Sequence, residues 1–405
     1  MSVQPRRARP RGALSRASLM VAAAIFSVGV ATAPKAKAAN LYWDANGTNV
    51  GTGGTGAWNT TSAFWSTSTA GTDASAIASF TSADTAFFAG TAGTVTLGQA
   101  ITIGGLNFGA DNFVLTGLTA NPITLAGATP TITLQTGVTQ ATITALVAGA
   151  AGLTFNGGSS NGTLTIGATA QANTYTGSTD ISSGVLRVTS LTSLGASGAS
   201  NGTVVNSGGA LRIGIGGTIA TELLTLTGTG VSSGGALILD PNLATTWSGA
   251  ITIPAGGATI NVGSGATFTT STTGVTMVGA LTKTGTGTLA IGNTTIGGGT
   301  AAGTLIINAG TVDITGGRIR TSQIVVNAGG RFLATGAPTS PGSMDDTAAN
   351  TVNSGGTFDF RQTTAETKKR RNGPRSWASV RVRRASPSGG RPCGRPERLS
   401  WVIGR

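Results

Sequence analysis

The sequence predicts an all-β protein of solenoid type: a right-handed parallel β-helix with an aromatic N-terminal cap and a disordered basic C-terminal tail. Three observations predict it. Val205-Asn206-Ser207-Gly208-Gly209-Ala210-Leu211 returns as Val326-Asn327-Ala328-Gly329-Gly330-Arg331-Phe332 and as Val352-Asn353-Ser354-Gly355-Gly356-Thr357-Phe358. Between these copies the chain is a succession of short runs in which apolar residues alternate with threonine, such as Thr94-Val95-Thr96-Leu97, Ile123-Thr124-Leu125 and Thr131-Ile132-Thr133-Leu134. Glycine makes up 65 of the 405 residues and charged residues only 10%. Recurring corners in such a chain indicate repeated coils rather than one packed core.

The first 39 residues read as an export signal. Five arginines from Arg6 to Arg16 precede an apolar run from Leu19 to about Ala33, and small residues follow to Ala36-Lys37-Ala38-Ala39. The apolar run is shorter than the roughly 18 to 20 residues that span a bilayer, and its Ala-x-Ala end is that of a cleavage site.

Residues 40–93 read as an N-terminal cap and first coils. Trp43, Trp58 and Trp65 stand close together here, and bulky aromatics in an atypical first repeat would shield the solenoid's apolar end from water. A sugar-stacking platform is the functional alternative for the same rings.

Residues 94–360 carry the repeats. The period-2 alternation is that of half-buried strands, with threonine suited to the wet face. Gly, Asn or Pro stops each run within a few residues, which makes the strands short and the corners tight. At the corner Asn tolerates left-handed backbone angles, Gly accepts positive φ, and Ser or Ala is small enough for corners to stack. Corner residues Ser182 and Asn206 are 24 apart, Asn308 and Asn327 are 19 apart, and Asn327 and Asn353 are 26 apart. That spacing suits one coil of roughly 20 to 25 residues. A β-sandwich array would also give short strands, but not recurring corners of one type.

Charge is segregated. Residues 1–39 hold seven basic and no acidic groups, residues 40–360 hold six and eleven, and residues 361–405 hold thirteen and two. The net +13 therefore belongs to the ends. A nucleic-acid function loses its support, because phosphate binding needs lysine and arginine clustered on the folded surface.

No catalytic, cofactor-binding or metal-ligating residue is expected. The chain has no histidine, which removes His-based triads and metal sites, and Cys393 in the tail is its only cysteine. Asp345-Asp346 reads as a solvated turn. Asp180, Arg187, Arg212 and Asp240 could align across coils, but this set is too sparse to name as a site. Calcium-binding Gly-Gly-x-Gly-x-Asp nonapeptides are absent.

The stretch Leu153-Thr154-Phe155, Gly162 to Ile166, Ala172-Asn173-Thr174-Tyr175-Thr176-Gly177-Ser178-Thr179 and Gly184 to Val188 resembles the autotransporter-associated β-strand repeat. Its Asn-Thr-Tyr-Thr-Gly centre is complete, and a second copy from Leu281 to Leu305 lacks that centre. Trp43-Asp44 and Trp58-Asn59 are similar to the start of such passengers. The resemblance implies a non-enzymatic passenger of a type V secretion protein, exported to the cell surface, outer membrane or medium as an adhesin or structural surface protein. Its implied partners are the export machinery and a host or neighbouring-cell surface glycan or protein. A β-helical carbohydrate-active enzyme and a self-associating matrix protein are the other readings.

The C-terminal barrel of that family is not seen in residues 361–405, where Lys368-Lys369-Arg370-Arg371 and Arg381-Val382-Arg383-Arg384 lack strand alternation. The abrupt change of composition reads as out-of-frame translation or a gene remnant, which would make the passenger a truncated fragment. A disordered arm binding anionic surface polymer is the rival reading.

Overall fold

The computed structural model describes Met1, residues 39–361 apart from 76–79, 160, 168–171, 199, 271–273, 293–294, 297–302, 316–317 and 336–348, and residues 381–382. The chain divides into two units, Met1–Lys37 and Ala38–Arg405. Of the first only Met1 is described, so residues 2–38 of the expected signal, like Asp345, Asp346 and Cys393, lie outside the described residues.

Residues 39–361 wind into a parallel β-solenoid. One ladder runs through Asn40–Trp43, Thr85–Phe88, Gly105–Phe108, Thr131–Leu134 and Leu153–Asn156 into the first half of Thr179–Val188 and on to Thr203–Val205 and Leu224–Leu226. A second runs through Gly56–Trp58, Thr94–Leu97, Val114–Gly117, Gln140–Ile143 and Thr163–Ile166 into the second half of Thr179–Val188, then Gly209–Ile213 and Leu237–Leu239. Equivalent residues of successive coils are 19 apart at Thr304 and Gln323 and 28 apart at Gly217 and Thr245. This parallel pairing of each strand with its own repeat rules out the sandwich array, whose strands would pair antiparallel.

The alternation read in the sequence fixes which side chains go inside. Ile132, Phe155, Ile181 and Val205 are register partners in four successive coils, and each is fully buried. Thr131 and Thr154 stand beside each other on the outer face. Each such inward residue stabilises the coil by about 1.5–3 kcal/mol through burial of its side chain.

The corner motif has two glycines for two different reasons. In all three copies the Asn carbonyl accepts a hydrogen bond from the second glycine: Gly209 to Asn206, Gly330 to Asn327 and Gly356 to Asn353, each at 2.9 Å. The first glycine, Gly208, Gly329 or Gly355, has φ of 92°, 80° or 84°, the third residue of a type II turn. The second glycine lies against the preceding coil, where a Cβ would fall 2.6, 2.4 or 2.6 Å from the carbonyl oxygen of Ile181, Ile307 or Val326. The asparagines at these corners are not left-handed, contrary to the reading from sequence. Their side chains instead link coils: Asn353 Nδ2 donates to Asn327 Oδ1, Asn327 Nδ2 to Asn308 Oδ1, and Asn206 Nδ2 to Asp180 Oδ1.

The third face is built twice. Ile101–Ile103, Ile123–Leu125 and Val147–Ala148 form one short ladder, and Gly217–Ile219, Ala244–Trp247, Thr267–Thr270 and later strands form another. Between them lies the Asn173 to Gly177 segment. Asn173 is buried, its Oδ1 accepting from Val147 N at 2.9 Å and its Nδ2 donating to Ser193 O at 2.7 Å. This side-chain amide adds to the segment's own main-chain bonds, Thr174 N to Val147 O in the coil before and Ala196 N to Tyr175 O in the coil after, each at 2.9 Å. Tyr175 fills the interior beside it, its hydroxyl 2.7 Å from Thr179 Oγ1.

The first coil is lengthened to 45 residues, Asn40 pairing with Thr85. The extra chain folds back so that Trp65 pairs antiparallel with Trp43. Trp43, Trp58 and Trp65 are fully buried, with ring centroids 5.3 Å apart for Trp43 and Trp65 and 5.0 Å for Trp58 and Trp65. Phe88 joins this cluster to Phe108 of the next coil at 5.4 Å. The rings close the solenoid end, and burial of all three indoles removes the sugar-stacking alternative. At the other end Arg381–Val382 pairs antiparallel with Phe358 and Asp359.

Candidate functional site

Three of the four charged residues that could align across coils do meet on the outer side of the second ladder. Arg187 and Arg212 are register partners, and Arg212 is in turn partnered by Ile238, two residues before Asp240. Since side chains two apart share a face, Asp240 comes up on the same side. Arg187 Nη2 lies 3.0 Å from Asp240 Oδ2, and Arg212 Nε lies 2.5 Å from Oδ1. To reach Asp240, Arg187 crosses the intervening coil over Gly214, where a Cβ would stand 2.6 Å from Arg187 Nη2. Asp180 is elsewhere, accepting hydrogen bonds from Ser182 and Asn206 on the first ladder.

Two guanidiniums share one carboxylate, which leaves a net positive charge on a mildly acidic solenoid. The arginine side chains are 33% and 43% exposed and Asp240 13%. Both Asp240 oxygens accept hydrogen bonds from arginine, so this carboxylate holds the arginines in place rather than standing ready as a general base. The cluster can attract an anionic group. Arg331 and Asp359 repeat the diagonal geometry on the third face at 2.8 Å.

Two ionisable groups that sequence reading did not single out lie inside the coil. Glu222 is 2% exposed and accepts from Thr203 Oγ1 at 2.7 Å. Desolvation pushes its carboxyl up to about 7, against the lowering effect of that hydrogen bond. Lys283 is fully buried, and its Nζ donates to the carbonyl oxygens of Thr284 at 2.5 Å, Gly285 at 2.7 Å and Ala309 at 3.3 Å. Burial brings its ammonium down to about 8. Each is the sole residue of its type between positions 40 and 360, a signal the sequence did contain. Tyr175 is raised by burial, with Glu222 adding to the shift.

The fold and this surface define a parallel β-solenoid protein whose charged groups pair across coils. A stretch of 128 residues is 49% identical to the adhesin BmaC autotransporter of Brucella suis biovar 1 (strain 1330), covering 31% of this chain and 4% of that protein. The chain thus matches only a small part of its curated relative's length. No family model matches the sequence, and no solved structure matches it.

Proposed function

We propose that this chain is a non-enzymatic autotransporter passenger, exported and displayed at the cell surface, where its solenoid acts as an adhesin toward a glycan or protein on a host or neighbouring cell. The observation that carries the reading is the 128-residue match at 49% identity to an autotransporter adhesin. Two structural features support it. Each coil pairs in parallel with its neighbours, so the outward residues of successive coils line up along continuous ladders, as suits contact with an extended partner. The Arg187–Asp240–Arg212 cluster concentrates positive charge on one of those faces.

Purified full-length chain incubated with cultured epithelial cells tests the proposal. Saturable binding that leaves both protein and cell-surface polysaccharide intact supports it. Release of reducing sugar from that polysaccharide favours the β-helical enzyme, and self-association without cell binding favours the matrix protein.

A further inference from the structure

The arginine cluster stands at the end of a longer row. Thr142, Thr165, Arg187 and Arg212 are register partners in four successive coils of the second ladder. All four lie on the outer side, since the residues flanking each of them, such as Leu164 and Ile166 or Leu211 and Ile213, are buried. At about 4.8 Å per coil the row is about 14 Å long. Beyond Arg212 it continues as Ile238 and Asn261, and the Asn261 amide is already bonded to Gly234 O at 2.8 Å. Threonine hydroxyls therefore lead up to the two guanidiniums from the N-terminal side.

Asp240 does not occupy all the donors of the arginines. It accepts from Nε and Nη2 of Arg187 and from Nε of Arg212. Arg187 Nη1 and both terminal nitrogens of Arg212 keep N–H groups for a second anion, on side chains that are partly exposed. Because Asp240 already holds both guanidiniums in place, a ligand has less side-chain freedom to remove on binding. The planar fork of a guanidinium matches a carboxylate through two parallel hydrogen bonds, which a lysine ammonium cannot do.

The charge balance selects among anionic polymers. Two arginines and one aspartate leave one net positive charge at the cluster, within residues 40–360 that hold six basic and eleven acidic groups. A densely sulfated chain would be attracted at this point and repelled along the rest of the rod. A chain whose single carboxylates are separated by uncharged sugars makes the contact without that repulsion, and its hydroxyls can bond to Thr142 and Thr165.

We infer that the row Thr142, Thr165, Arg187 and Arg212 binds a linear polysaccharide containing uronic acid. One uronate carboxylate sits on the free N–H groups of Arg187 and Arg212, and neighbouring sugar hydroxyls sit on the threonines. The inference rests on the adhesin reading for its class of partner and names the chemistry that partner presents.

Fluorescence anisotropy of labelled polygalacturonate with half of its carboxyls methyl-esterified, titrated with the full chain, tests it. The expected result is saturable binding that weakens in 0.5 M NaCl and is lost when every carboxyl is esterified. The Arg187→Ala, Arg212→Ala double variant should bind about tenfold more weakly, while Arg331→Ala, which removes an arginine from the third face, should bind as the wild type does. Absence of binding overturns the inference, as does equal binding of the fully esterified polymer, unchanged affinity in the double variant, an equal loss in Arg331→Ala, or tighter binding of dextran sulfate of the same length. If the double alanine variant does not fold, the Arg187→Lys, Arg212→Lys variant decides: it keeps the charge and removes the forks, so unchanged affinity in it overturns the inference. Cell binding that the double variant retains in full removes this site and leaves the adhesin reading intact. Uronate binding by a chain that does not bind cells supports the site and removes the adhesin reading.

Discussion

Asn353 donates its side-chain amide to Asn327 Oδ1 at 2.5 Å, and Asn327 passes the link on to Asn308 at 2.6 Å. A chain of amides thus runs from coil to coil outside the backbone ladders. It gives the corner asparagine a purpose that left-handed backbone geometry does not. Asn327→Ala removes one donor and one acceptor from the chain. At this partly exposed corner the expected loss is about 1 kcal/mol, measured by urea unfolding. Asn327→Asp should lose stability as well, since a carboxylate cannot donate to Asn308.

The two corner glycines should respond differently to substitution. Gly329 has φ of 80° with open space around it, so Gly329→Ala costs about 1–2 kcal/mol while Gly329→Asn costs less, asparagine being the residue that best accepts this conformation. Gly330 fails for lack of room, with Ile307 O only 2.4 Å from a Cβ. There Ala and Asn should be equally damaging. Paired unfolding curves for the four variants decide it, and a rescue by asparagine at 330 would contradict the steric account.

Glu222 should make the solenoid less stable as pH rises. Its carboxyl is pushed from 4.5 up to about 7 in the fold. Between those values the folded state holds a proton that the unfolded state has released, so stability is complete below about pH 4.5 and falls until about pH 7. The loss is on the order of 3 kcal/mol at 1.36 kcal/mol per pH unit. Glu222→Gln should flatten the profile over that window. Urea midpoints from pH 4 to 8 provide the check.

The arginine cluster should contribute little to stability but respond to salt. A double-mutant cycle of Arg187→Ala and Asp240→Ala is expected to give a coupling of about 0.5 kcal/mol at low salt, given the exposure of the arginine, and less in 0.5 M NaCl. A coupling that is unchanged by salt would argue against an electrostatic origin.

The coil repeat was legible because each corner is a local signal: Ser182 and Asn206, Asn308 and Asn327, and Asn327 and Asn353 recur at the spacing at which Asp180 and Val204, Ile307 and Val326, and Val326 and Val352 are paired. Which charges meet was much harder to read. Arg187 and Asp240 are 53 residues apart across two coils, and coil length varies enough that their alignment depends on every insertion between them. The aromatic cap was legible from its three clustered tryptophans, but not how they come together: Trp65 and Ser66 fold back antiparallel on Trp43 and Tyr42, and no local periodicity announces that reversal. Asp44, Glu222 and Lys283 are buried against the usual preference of charged residues, so their burial could not be read from residue type.

Adherence of the producing bacterium tests the central claim most directly. Intact cells are labelled with antibody to the solenoid, and a deletion strain is compared with one complemented by the wild-type chain for attachment to cultured cells. The account predicts labelling of intact cells and a loss of attachment on deletion that the wild-type chain restores. Labelling only after permeabilisation, or attachment unaffected by deletion, would contradict it.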